Sequence, residues 1–133
     1  MAPLLLDTHI LLWWYLDHPS LPMTVAQRIE ASEEHEGLAV SILSLWEIAK
    51  LVERGRFRPE FSLDEWFADL ENDAGMWVIP LTARVILEST RLGPHFHRDP
   101  ADQLIVATAR CHNLHLATAD ERISRSGVVA IVT

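Results

Sequence analysis

Four acids in this chain are placed to do chemistry together: Asp7, Glu47, Asp102 and Asp120. Each falls where a helix is expected to begin, usually just after a short apolar run that reads as a strand. One acid at such a junction is ordinary. Four at the same kind of junction in a small alternating chain point to one shared acidic pocket. Two carboxylates about 4 Å apart repel by ~1 kcal/mol in water and ~4 kcal/mol at an effective dielectric of 20. A converging cluster is therefore costly unless it is protonated or holds a cation. Hard oxygen ligands with room for water suit Mg²⁺ or Mn²⁺. Beside a phosphodiester, such an ion activates water and stabilises the charge that develops on phosphate.

Taken singly, each acid has a structural reading. Asp7 can cap the first helix. Ser44-Leu45-Trp46-Glu47 matches a capping box, and so does Thr118-Ala119-Asp120-Glu121 with Glu121 as its acid. Asp102 falls three residues after Asp99, where an acid favours the helix dipole. Asp99 itself reads mainly as a cap, with Pro100 at the first helical position.

The elements that must position these acids follow from periodicity and breakers. Short apolar strands are expected at Pro3–Leu6, Leu38–Val40, Met76–Ile79, Leu114–Ala117 and Val128–Val132. Helices are expected at His9–Asp17, Thr24–Glu36, Leu45–Arg54, Ser62–Asn72, Thr82–Leu92 and Pro100–His112, with a short turn or helix opening at Asp120. Ser62 and Glu65 form a further capping-box pattern. The first helix is apolar nearly all round, which implies burial on two sides, in a core or at a partner. Strands alternating with helices predict an α/β three-layer sandwich: a short, mostly parallel central sheet with helices on both faces. In such sheets ligands bind beyond the carboxyl ends of the strands. Asp7 and Asp120 lie at such ends, and Glu47 and Asp102 are expected in the first turns of neighbouring helices.

The bulk numbers narrow the class. The 133 residues, 49% of them hydrophobic, amount to a single domain over 1–133 with a real core. The net charge of −8 gives no support to unaided nucleic-acid binding, so an acidic nuclease needs metal ions or a local basic rim. A single cysteine, Cys111, allows no internal disulfide and fits a reducing cytoplasm. The N-terminal segment lacks a basic region and is broken by Asp7, so neither a signal peptide nor a membrane span is expected.

Four segments carry a family resemblance: Leu-Leu-Leu-Asp-Thr-His (4–9), Ser-Leu-Trp-Glu-Ile-Ala (44–49), His-Arg-Asp-Pro-Ala-Asp-Gln-Leu-Ile-Val-Ala-Thr-Ala (97–109) and Thr-Ala-Asp-Glu-Arg-Ile (118–123). In this order they resemble a PIN-domain ribonuclease, most closely the VapC toxins of bacterial type II toxin–antitoxin pairs. The resemblance covers nearly the whole chain. It implies that Asp7 and Asp102 are the strongest metal ligands, with Glu47 and Asp120 completing the shell or holding waters. Thr8 and Thr118 match polar positions beside that pocket. Asp99 matches an acid found in part of the family, and Gln103 stands where an arginine is common. The implied activity is Mg²⁺- or Mn²⁺-dependent endoribonuclease cleavage that leaves a 5′-phosphate and a 3′-hydroxyl. The implied partners are RNA, a second copy in a homodimer and a cognate antitoxin protein, which lies along a groove of early helices. The apolar first and third helices would suit such a groove.

Other chemistries find little support. His95-Phe96-His97 and His112-Asn113-Leu114-His115 do not form a zinc motif, although His95 and His97 could line a substrate path. There is no nucleophile elbow and no phosphate-cradling glycine loop. A haloacid-dehalogenase-type phosphatase would want an Asp at position 9, where this chain has His9. Lys50, Arg54, Arg56 and Arg58 form the densest basic group; they either guide RNA phosphates or simply pair with Glu53 and Glu60 on a solvated face. Two alternatives to the ribonuclease stay open. One is a non-catalytic PIN-like protein-binding module. The other is a metal phosphatase or DNA nuclease that uses the same pocket.

Overall fold

A computed structural model describes residues 2–133. In chain order its elements are β1 (Leu4–Leu6), α1 (Thr8–Tyr15), α2 (Met23–His35), β2 (Leu38–Ser41), α3 (Ile42–Glu53), α4 (Leu63–Asn72), β3 (Met76–Ile79), α5 (Ala83–Ser89), α6 (Pro100–His112), β4 (Leu116–Ala117), α7 (Glu121–Ser126) and β5 (Ile131–Val132). The five strands form one sheet in the order β3-β2-β1-β4-β5, and every pairing is parallel.

Side chains alternate across a strand, so a strand covered on both faces must be apolar at every position. β1 shows this directly. Leu4 and Leu6 join one core with Ile10 and Leu11 of α1, Ile29 of α2 and Ile48 of α3, while Leu5 joins the opposite core with Ile105 and Val106 of α6. Helices α1 to α4 cover the first face, and α6 and α7 cover the second, with α5 packed on α6. The result is the expected three-layer α/β sandwich.

Parallel strands require long crossovers, and this chain makes them with helices. It winds outward from β1 to β2 and β3, then returns to lay β4 and β5 against the other edge of β1. The reversal puts a topological switch between β1 and β4, where a crevice opens beyond the strand ends. Gly37 lets the chain turn from α2 into β2 at φ +82; a Cβ there would stand 3.0 Å from the Gly75 carbonyl oxygen.

Several expected boundaries shift. α3 begins at Ile42, not Leu45, because Ser41 ends β2 and at once caps the helix by accepting from Leu43 N. The expected Ser44 capping box is thus displaced. The Thr118 box is also absent, since Asp120 caps α7 and Thr118 accepts from Asp120 N. α1 starts at Thr8 and ends at Tyr15, α5 is shorter than Thr82–Leu92, and β4 begins at Leu116. Ser62 caps α4 through Glu65 N as expected, and Asp99 caps α6 with Pro100 at its first position.

Candidate metal centre

Asp7 directly follows β1 and caps α1, accepting from Thr8 N at 2.8 Å through Oδ1. Its Oδ2 accepts the Thr118 hydroxyl at 2.7 Å. Thr118 directly follows β4, so this bond ties together the two strand ends at the switch. The Thr118 oxygen also accepts from Asp120 N at 3.1 Å, which fixes the turn into α7. Both Asp7 and Thr118 are buried. Burial raises the Asp7 carboxyl above its ordinary value. The Thr118 and Thr8 hydrogen bonds and the charge of His9 pull the other way, and Asp120 adds a further upward push.

Glu47 reaches the same place from α3, but from the second turn, because the helix starts earlier than its sequence suggests. Its Oε1 lies 2.5 Å from the Thr8 hydroxyl, which is also 2.9 Å from the Ser44 hydroxyl. A carboxylate only accepts, so Thr8 donates to Glu47 and Ser44 donates to Thr8. Burial raises the Glu47 carboxyl, and the Asp102, Asp7 and Asp99 charges push the same way against the Thr8 bond.

Asp102 lies in the first turn of α6, where Asp99 caps the helix by accepting from Ala101 N and Asp102 N. His97 Nε2 lies 2.7 Å from Asp102 Oδ2; with Asp102 ionised, that nitrogen carries the proton. Burial raises the Asp102 carboxyl too. The His97 hydrogen bond opposes this, and Asp99 and Asp7 add to it.

Asp120 is the exception. Arg122 grips both its oxygens, with Nη2 at 2.9 Å from Oδ2 and Nε at 3.3 Å from Oδ1. That hydrogen bonding holds the Asp120 carboxyl below its ordinary value. The same Arg122 nitrogen stands 3.6 Å from Asp102 Oδ2.

These residues share one open pocket of about 340 Å³. Asp7, Thr8, Glu47, Asp99, Asp102 and Asp120 line it, with Arg122 at its rim. All four acids singled out from the sequence therefore converge. The tightest set of possible ligand atoms among the described residues is narrower: one atom each from His97, Asp102 and Asp120, all within 4.8 Å of one another. Asp7 lines the same pocket with its oxygens turned onto Thr8 N and the Thr118 hydroxyl. The donor set is mostly carboxylate oxygen, in a half-open pocket where burial opposes the charge of three acids. That chemistry fits a divalent cation such as Mg²⁺ or Mn²⁺.

Sequence reasoning missed three participants. Arg122 carries no local signal, and the one at Ser44, a capping box, points elsewhere; the roles of both depend on partners brought by the fold. In sequence His97 suggests only a wall of the substrate path, although it stands five residues before Asp102, across a helix cap. Gln103, where the resemblance led to an arginine, donates instead to the His97 carbonyl at 3.1 Å, and Arg122 supplies the cation at this end of the pocket. In the Lys50 group, Lys50 pairs with Glu53 at 3.0 Å. No helix among the described residues is long and apolar enough to cross a membrane.

Comparison with known proteins agrees with this architecture. The PIN domain family matches residues 4–128. Ribonuclease VapC22 of Mycobacterium tuberculosis is 34% identical over 123 residues, which span 92% of this chain and 91% of that protein. Among solved structures, VapBC2 from Rickettsia felis bound to a promoter DNA fragment aligns with a TM-score of 0.72 at 17% identity, over 96% of each chain. FitAcB from Neisseria gonorrhoeae aligns with a TM-score of 0.69 at 20% identity, over 98% of this chain and 96% of that one. This chain belongs to the PIN domain family and, within it, groups with the VapC proteins.

Proposed function

We propose that this chain is a Mg²⁺- or Mn²⁺-dependent endoribonuclease that acts as the toxin of a toxin–antitoxin pair. The observation that carries this reading is the convergence of Asp7, Glu47, Asp102 and Asp120 in one pocket at the switch between β1 and β4. Burial opposes the charge of three of these acids, and only Asp120 has an arginine of its own. A divalent ion bound there would supply an activated water and offset charge on the scissile phosphate.

The residues divide the work. Asp7 and Asp102 are the principal metal ligands, and Glu47 and Asp120 complete the shell or hold waters. Thr118 and Thr8 fix the carboxylate orientations of Asp7 and Glu47, as outer partners of metal ligands commonly do. His97 orients Asp102. Asp99 sets the start of α6 and adds negative charge to the pocket. The 34% identity to a protein named as a ribonuclease supports RNA as the substrate class. A panel of RNA, DNA and phosphomonoester substrates separates this from the phosphatase and DNA-nuclease readings.

The surface supports partners as well. Tyr15, Leu16 and Met23 are exposed at the end of α1 and the start of α2, a place for the apolar face of an antitoxin. Trp77, Leu81, and Ile86 and Leu87 on α5 are exposed as well, and supply apolar surface for a second copy of the chain. The chain works as one PIN-like domain over residues 1–133, in the cytoplasm. The deciding experiment is cleavage of a mixed RNA panel by purified protein with Mg²⁺ or Mn²⁺, with chelator and Asp7→Asn as controls. Metal-dependent cuts lost in both controls are expected. Absence of both cutting and Mn²⁺ binding would leave a non-catalytic binding module as the better account.

A further inference from the structure

The acidic site has two chemically different ends. At one, Asp7 and Glu47 are met by hydroxyls and a backbone N–H. At the other, a side-chain nitrogen joins the oxygens. His97 Nε2 and one oxygen each of Asp102 and Asp120 all lie within 4.8 Å of one another. Positive charge already bridges this trio. The Nε2 proton of His97 points to Asp102, and Arg122 Nη2 stands 2.9 Å from Asp120 and 3.6 Å from Asp102. The Arg122 side chain is 60% exposed and can swing out to solvent. His97 cannot: its side chain is largely buried, its ring stacks on Phe96 with centroids 4.5 Å apart, and its carbonyl accepts from Gln103 Nε2 at 3.1 Å. A donor fixed in this way needs little further ordering to bind.

We infer that His97 is a metal ligand, and that His97, Asp102 and Asp120 together hold a late first-row divalent ion such as Zn²⁺ or Co²⁺. The inference rests on the metal-centre reading above and adds a nitrogen donor to its acids. The ion takes the place of the proton between His97 and Asp102 and of the Arg122 guanidinium. Neutral imidazole then presents its Nε2 lone pair and keeps its proton on Nδ1. Oxygen and nitrogen donors on one such ion lie ~2.0–2.2 Å from it, so any two stand within ~4.4 Å of each other, close to the trio's present spread. The nitrogen is what separates one ion from another. Mg²⁺ takes oxygen and keeps its waters, whereas imidazole favours the later metals of the row. His97 therefore gives this site a selectivity that carboxylates alone do not supply.

The test is calorimetric titration of the untagged full chain with Co²⁺ and, separately, with Mg²⁺. His97→Gln keeps a hydrogen-bond donor near Asp102 and removes the imidazole. It is expected to weaken Co²⁺ binding about tenfold or more and Mg²⁺ binding no more than about threefold. His9→Gln, at a histidine that lines the pocket outside the trio, should bind both ions like wild type. In proton NMR the Co²⁺ complex should show a hyperfine-shifted, exchangeable imidazole N–H resonance that His97→Gln loses and His9→Gln keeps. Equal losses of Co²⁺ and Mg²⁺ affinity in His97→Gln would make His97 only a brace for Asp102 and overturn the inference, leaving the metal centre standing. A Co²⁺ complex without the imidazole resonance, or one whose resonance follows His9, also overturns it. Wild type that binds neither ion overturns the metal-centre reading itself.

Discussion

The ends of β1 and β4 are built from one local plan and arrive at opposite electrostatic states. Each strand runs into an acid that caps the next helix, Asp7 for α1 and Asp120 for α7. Asp7 is buried, braced by a hydroxyl and a backbone N–H, and its carboxyl sits above the ordinary value. Asp120 is more exposed and clasped by Arg122, and its carboxyl sits below it. The capping role is the same, so the difference comes from the second layer of neighbours: Thr118 at one end, Arg122 at the other. Asp7 lacks an arginine partner and gains most from a divalent ion. Asp120 already has a cation, which an incoming ion must displace or share.

The most severe way to break this asymmetry is Asp7→Asn. The substitution keeps the shape and removes the buried charge. Outer partners of metal ligands commonly contribute 10–100-fold in metal affinity or activity. With Asp7 proposed as a principal ligand, its loss is therefore expected to cost more than about 100-fold in metal-dependent RNA cleavage. Retention of cleavage within a few-fold of wild type would move the centre of the site to the His97, Asp102 and Asp120 set.

Thr118→Val acts on the brace that joins the two ends. It removes the proton donated to Asp7 Oδ2 and the acceptor for Asp120 N, with little change in volume. Mn²⁺ binding at neutral pH is expected to weaken about tenfold, within the range for outer partners. Titration calorimetry reads this directly, and an unchanged affinity would show that Asp7 is held without Thr118. Arg122→Ala sharpens the comparison from the other end. Removing the guanidinium frees Asp120 and lifts a neighbouring charge from Asp102. Mn²⁺ affinity is expected to rise by less than about tenfold, as befits an exposed pair. A fall in affinity would make Arg122 part of the site's support, not a competitor for it.

How much of this was legible in the sequence divides along the same lines. Leu4–Leu6 and Leu38–Val40 read as buried strands because continuous apolar runs followed by a helix signal leave few alternatives. The caps at Asp7 and Asp99 were legible for the same local reason. Glu47 reads as a first-turn residue but lies in the second turn of α3, because Ser41 and Ser44 both precede plausible helices. Ile42 and Leu43 continue the apolar run of β2 and hide the true start. Convergence itself is not local, since it depends on β4 returning to the side of β1 away from β2. Arg122 was invisible for that reason: its contact with Asp102 spans twenty residues and exists only once α6 and α7 have been placed.

The smallest expected effect follows from the signs of the carboxyl shifts in metal-free protein. Asp7 has a folded-state pKa raised above its unfolded value of 3.8, so the folded state holds its proton more tightly. Its contribution to stability is fully present below the unfolded value and is lost as pH rises through the folded one. Glu47 and Asp102 act in the same sense. Asp120 acts oppositely: its contribution is present above the unfolded value and is lost as pH falls through its lowered one. Between pH 4 and 7 in chelator, the Tm of wild type relative to Asp7→Asn is therefore expected to fall as pH rises, by a few degrees for a domain of this size. Saturating Mg²⁺ should shrink that fall, because an ion bound to the folded state alone favours the ionised carboxylates. Equal pH dependence in the two proteins would mean that burial leaves Asp7 no harder to ionise in the folded chain than in the unfolded one, and the upward half of the contrast between the two strand ends would be lost.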